Sequence, residues 1–219
     1  MSNLFNMDNG FFTALGKICD MLFISVIWAI LCIPIITIGP ANTALYYVTV
    51  KVIRRERGYL YREFFKSFKL NFKRGAITGV GLTLVYIILG FDLYWAWTNL
   101  NGTNKSSILF GVFIAITFLI SCFAVYIFPI LSRFDMTVKQ LLKAASFMSM
   151  RHLPSTVGVL IITAAAIFGV IIIPIAIFII PAVATLLISF LLERVLKKYM
   201  PKEEEPTDEE TKKDEWYLE

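Results

Sequence analysis

Long apolar runs alternate along this chain with short stretches rich in basic and aromatic residues, and that alternation predicts its elements. A run of roughly 18 or more apolar residues reads as a membrane span, because about 20 helical residues cross a hydrocarbon core of ~30 Å. Five fit, at about 18–38, 76–98, 107–131, 155–173 and 175–196. In lipid the backbone must satisfy itself, so the spans are expected to be helices. The last two come from one apolar run, Ser155 to Leu192. As a single helix it would measure about 57 Å at 1.5 Å per residue. Pro174 and Pro181 supply a break, since an interior proline removes a hydrogen bond and clashes with the preceding turn. Two spans joined by a tight turn are expected there, with a re-entrant pair as the alternative.

Between spans the pattern becomes amphipathic. In YREFFKSFKLNFKRG, Tyr61, Phe64, Phe65, Phe68 and Phe72 share a helical face, and Arg62, Lys66, Lys69 and Lys73 form a stripe beside it. An aromatic face flanked by cations predicts a helix lying on a lipid surface or docked on a partner. A weaker copy, TVKQLLKAASFMSMRHLP, lines up Leu141, Leu142, Ala145, Met148 and His152 or Leu153. Amphipathic helices are thus expected over about 41–74 and 136–153.

The stretch PIITIGPANTALYY, residues 34–47, reads as a sharp corner from the first span. Gly39-Pro40 is expected to break the helix there, and a surface segment to restart from Ala41 to Ile53. Thr37, Asn42 and Thr43 can satisfy the backbone groups that a break frees. A partial echo, IPIAIFIIPAVATLL, occurs before the end of the apolar body, with one more residue between its prolines. Such an echo fits a duplicated unit.

Charge sets the orientation. Nine Lys and Arg lie between the first and second spans and four between the third and fourth, against Lys105 alone in the second loop. By the excess of cations on the cytoplasmic side, the N-terminus is expected outside and the C-terminus inside. Trp95 and Trp97 suit an interfacial belt at the outer end of the second span. Overall the chain is 58% hydrophobic and 17% charged, below the ~25% of ordinary soluble domains. The expectation is an all-α integral membrane bundle with one domain over residues 1–200. Residues 201–219 then form a tail of net charge −6, with the composition of a disordered segment.

Little here points to catalysis. His152 stands alone, no phosphate-cradling loop occurs, and no Ser or Cys sits beside a base, so no catalytic, metal or cofactor residue is expected. Cys19, Cys32 and Cys122 read as packing residues. The first residues lack a basic region and a small-residue cleavage site, so the first run reads as a retained span. Asn101-Gly102-Thr103 and Asn104-Lys105-Ser106 are sequons that read more simply as turn formers. Asp20 and Asp92 are the ionisable groups taken to lie in spans, and Lys17 is placed to pair with Asp20.

Residues 34–74 resemble the YesL family of bacterial membrane proteins of unknown function. The likeness is carried by Pro-Ile-x-Thr-Ile-Gly-Pro, Ala-x-x-Ala-Leu-Tyr-Tyr and Phe-Phe-x-Ser-Phe-Lys-x-Asn-Phe in order and spacing. It implies a non-enzymatic accessory component of a carbohydrate ABC importer, touching the permease or ATPase. The alternatives are a small oligomeric permease with its own pathway, or an adaptor that regulates transport or sensing. Contact residues for partner or lipid are expected at Pro34, Thr37, Gly39, Pro40, Asn42 and Thr43 in the corner, and at Arg62, Lys66, Phe68, Lys69 and Lys73 on the helix after it. The lipid bilayer is an expected partner and nucleic acid is not.

Overall fold

The computed structural model describes residues 10–99 and 104–199. The first sequon and the acidic tail fall outside the described residues. Every regular element among those described is helical: α1 (Gly10–Leu31), α2 (Ile38–Val48), α3 (Leu60–Leu70), α4 (Phe72–Thr98), α5 (Asn104–Arg133), α6 (Val138–Arg151), α7 (Leu153–Ile172) and α8 (Ile180–Leu196). Three stretches are long and apolar enough to cross a membrane: Phe72–Thr98, Ser107–Arg133 and Leu153–Ile172. On these helices large apolar side chains such as Ile88, Phe91, Ile108 and Phe168 point outward, 60–69% exposed, as lipid-facing surface requires. α1 and α8 are the other two apolar helices. α8 has 17 residues, about 26 Å at 1.5 Å per residue.

The long apolar run does divide at its proline. α7 stops at Ile172, residues Pro174–Phe178 form a 3₁₀ turn, and α8 starts at Ile180 with Pro181 in its first turn. The corner after α1 is built the same way. Ile35–Thr37 form a 3₁₀ turn, then α2 starts at Ile38 with Pro40 in its first turn. The sequence echo therefore has a local counterpart: proline, 3₁₀ turn, second proline opening a helix. Pro at a helix start costs little, because its missing N–H would be unsatisfied there anyway. Gly39-Pro40 accordingly opens α2, where a helix break was expected.

α2 departs furthest from the sequence reading. Ala41, Thr43, Ala44, Leu45, Tyr46 and Val48 are buried, so the segment expected at the surface is the centre of the bundle. It packs on α1, α3, α4, α5 and α8. One core cluster joins Tyr46 to Tyr126, Ile130, Leu141 and Leu192, and a second joins Leu45 and Val48 to Ile24, Phe64 and Ala182. Past Val48 the helix widens into a π-helical segment, Thr49–Arg54, a form that recurs at functional positions.

The amphipathic helices also turn their apolar faces to protein. Phe64 of α3 is fully buried in the second cluster, with Phe65 and Phe68 packed against it. Leu141, Ala145 and Met148 of α6 are buried in the first. Tyr61 and Phe72 remain exposed at the two ends of the α3 aromatic face. Thr137 and Gln140 close a reciprocal cap at the start of α6.

Candidate functional site

The corner residues hold the bundle together from inside. Thr37 donates its hydroxyl to the carbonyls of Leu31 and Pro34, satisfying groups that the end of α1 leaves open. Asn42 donates to the Ile38 carbonyl and accepts from Trp28 Nε1 at 3.0 Å, tying α2 back to α1. Thr43 donates to the Gly39 carbonyl at 3.0 Å. Thr37 thus caps groups freed at the corner, whereas Asn42 and Thr43 bond carbonyls inside the first turn of α2, where no break occurs.

Gly39 and Pro40 do something else. Gly39 lies against Gly75 and Gly79 of α4, and a Cβ on Gly79 would stand 2.7 Å from the Gly39 Cα. A Cβ on Gly75 would stand 2.9 Å from the Pro40 nitrogen. Small residues four apart on α4 thus let two backbones touch, as at tightly crossing membrane helices. Gly39, Pro40 and Thr43 are buried. They are therefore corrected from contact candidates to packing residues, because the α4 backbone already occupies that side.

Pro34 is exposed, and Thr37 and Asn42 are half-buried. On α3, Arg62, Lys66, Lys69 and Lys73 (the last at the start of α4) are exposed, while Phe68 is half-buried in the aromatic ladder. The basic stripe is fixed in place by an ion pair beneath it. Lys51 Nζ lies 2.8 Å from Glu63 Oε2 and 3.1 Å from the Tyr47 hydroxyl. That bond from Lys51 holds the Glu63 carboxyl below the usual range and raises Lys51. Lys17 pairs with Glu56, not with Asp20.

A buried charge cluster was not anticipated. Glu193, near the end of α8, is 1% exposed. Its Oε1 accepts from Arg133 Nε at 3.0 Å and from the Tyr46 hydroxyl at 3.3 Å, and its Oε2 accepts from Arg55 at 3.1 Å. Arg54 donates to the Ser189 carbonyl at 3.0 Å and lies 4.4 Å from the Phe190 ring centre. The π-helical segment thus delivers two consecutive arginines to α8, and α5 supplies the third from its last residue. One carboxylate meets two guanidiniums, with the third on the Ser189 carbonyl beside it, and the geometry ties the end of α2 to α5 and α8 at one end of the bundle. The available signal was an acid inside an apolar run; Glu193 should have stood beside Asp20 and Asp92.

Tyr46 also borders a cavity of about 580 Å³ between α2, α4, α5, α7 and α8. Its polar lining includes Asn42, Tyr86, Ser121, Thr163 and Thr185, and no charged side chain. The volume falls within the ~300–1,000 Å³ of small-molecule sites. The hydroxyls of Thr163 and Thr185 donate to carbonyls four residues back on their own helices, so each oxygen retains only acceptor capacity.

Residues 21–93 match the model of a family described as a protein of unknown function, DUF624. The match covers about a third of the chain, from within α1 to within α4. No curated protein and no solved structure matches. The DUF624-matched block contains both sides of the Gly39–Gly75–Gly79 crossing, together with Tyr46, Arg54 and Arg55. Their acceptors on α8, and Arg133, lie beyond it.

His152, between α6 and α7, has its Nε2 3.2 Å from the Tyr199 hydroxyl. Burial, then the nearby Lys198 and Arg151, hold its pKa below the ordinary value of 6.5. The unfolded chain therefore takes up this proton first. Above pH ~6.5 the residue is neutral in both states and has no effect; as pH falls below that value, stability falls. Thermal melts of the wild type between pH 7.5 and 5.5 should slope downward more than those of His152→Gln.

Proposed function

We propose that this chain is a non-enzymatic membrane component that works by contact with other proteins, as an accessory subunit of a carbohydrate importer of the ABC class. The single observation that carries the contact reading is the α3 stripe. The centre of its apolar face, at Phe64, is packed against α2, while Tyr61 and Phe72 stay exposed at its ends. Arg62, Lys66 and Lys69, with Lys73 at the start of α4, are presented outward from a helix anchored by Phe64 and by Lys51–Glu63. Four cations on an immobilised helix suit an acidic protein surface better than a helix sunk in lipid. The importer class rests on the resemblance of residues 34–74 to YesL proteins, whose domain family is DUF624. In this reading the long apolar helices span a bacterial plasma membrane with α3 and α6 in the cytoplasm, supported by the distribution of Lys and Arg. The expected outside N-terminus is dropped, because Lys17 of α1 pairs with Glu56 just before α3, on that same side.

The test is a mild-detergent pull-down of the tagged chain from native membranes. Recovery of an importer's permease and ATPase in near-equal amounts is expected; recovery of the chain alone, as a defined oligomer, would sink the proposal. Changing Arg62, Lys66, Lys69 and Lys73 to Gln should cut partner recovery at least several-fold while leaving the melting temperature within a few degrees, since exposed substitutions typically cost under about 0.5 kcal/mol each.

A second reading, a small permease, is favoured by the uncharged cavity and by the repeated 3₁₀ corner. Transport sites commonly lie between repeated units at broken helices. Under that reading Thr163→Trp, which fills the cavity, would abolish uptake without loss of any partner.

A further inference from the structure

The cavity beside Tyr46 continues into a second space. A groove of about 460 Å³ adjoins it, and Ser121, Leu160 and Ala164 line both. The groove lies between α4, α5 and α7, the three helices long and apolar enough to cross a membrane. Along it Ile114, Phe118, Val157 and Ile161 are 46–64% exposed, on the surface that lipid would cover. The cavity therefore opens sideways, between α5 and α7. Tyr86, Ser121 and Thr163 stand near the middle of α4, α5 and α7, so the opening is at mid-span.

Hydrogen bonding in this space is one-sided. Tyr46 donates its hydroxyl to Glu193, Ser121 to the Thr117 carbonyl, Thr163 to that of Val159 and Thr185 to that of Pro181. With the Ser121 hydrogen committed, the 3.0 Å contact between Tyr86 and Ser121 requires Tyr86 to be the donor. Thr117, in the groove, donates to the Phe113 carbonyl. All of these hydroxyls have their hydrogens in use and offer only acceptor capacity. Asn42 gives one amide hydrogen to Ile38 and keeps the other, the one donor left in the lining among the described residues. Among those residues no charged side chain lines either space.

A guest matched to this lining donates hydrogen bonds, carries no charge and is mostly apolar. An anionic head group would face acceptors, and a cation would shed its water at mid-span with no carboxylate to replace it. A sugar brings an acceptor oxygen with every hydroxyl hydrogen, and a single amide hydrogen cannot serve them. A lipid with one free hydroxyl meets each requirement. Its hydrogen reaches an acceptor in the cavity, while its chains lie along the groove. We propose that the cavity takes an uncharged lipid with a free hydroxyl head, of the diacylglycerol type, from the bilayer through the gap between α5 and α7. The inference is independent of the importer reading, and it competes with the permease reading for the same cavity.

The test uses the full chain in phosphatidylcholine nanodiscs, with a diacylglycerol whose acyl chain carries a diazirine. Illumination and peptide mapping should place the label on α5 and α7, around Phe118 and Ile161, and unlabelled diacylglycerol should compete it away. The same lipid with its hydroxyl capped as a methyl ether can accept but not donate. It should compete about three- to tenfold more weakly. Thr163→Trp, which fills the cavity, should abolish the competed label; if that variant does not fold, the comparison of free and capped lipid on the wild type decides. Equal competition by the two lipids would overturn the proposal, as would competed label that persists in folded Thr163→Trp. Phosphatidic acid competing as well as diacylglycerol would also overturn it, because the guest would then not need to be neutral. Competition by glycerol or maltose, with none by diacylglycerol, would give the cavity to a water-soluble solute and overturn it too.

Discussion

Glu193→Leu should lower stability by roughly 3–5 kcal/mol, the loss expected when one partner is removed from a buried ion pair. The substitution leaves Arg133, whose side chain is 12% exposed, without the carboxylate that faces it, and frees Tyr46 from its acceptor. Arg55, 39% exposed, can turn to water, so Arg133 carries most of the penalty. The double change Glu193→Leu with Arg133→Leu should recover much of it, because replacing both charges by apolar groups removes the desolvation cost along with the attraction. Melts of the four proteins in one detergent measure the coupling. A Glu193→Leu protein that melts with the wild type would show that the cluster holds nothing.

Gly39→Ala should be nearly as damaging, by roughly 3 kcal/mol, since an added group in a filled crossing forces backbone apart. Its Cβ would land on the Gly75 carbonyl, with the carbonyl carbon 2.7 Å away and the Gly79 Cα 3.0 Å away. No side chain is there to swing aside, so α2 must shift from α4 and take Tyr46 and its bond to Glu193 along. Gly81→Ala, on the same helix α4, is the control. Nothing lies within 4 Å of the added carbon, so its melt should match the wild type or rise slightly. Equal melts for Gly39→Ala and Gly81→Ala would refute the close crossing.

Much of the helical outline was legible from residue pattern alone. Apolar runs located α4, α5 and α7 to within a few residues, and Pro174 marked the end of α7. The role of Thr37 was legible because it bonds carbonyls three and six residues back, a distance that sequence spells out; Asn42 and Thr43 also bond locally, but within a helix that does not break. Local hydrogen bonding, proline geometry and the length needed to cross lipid are properties of short segments, and they do not wait for the rest of the chain.

What covers each face was decided only by the tertiary structure. Periodicity says that Phe64 and Leu141 share apolar faces; it cannot say whether lipid or α2 and α5 lie opposite. Glycine spacing was silent about Gly39 meeting Gly75 across a helix crossing. Glu193 finds Arg133 60 residues away, Arg55 138 away and Tyr46 147 away. Sequence fixes which groups must be satisfied, because burial of an unpaired charge is too costly. Which partner satisfies them depends on how the helices close, and that is a property of packing.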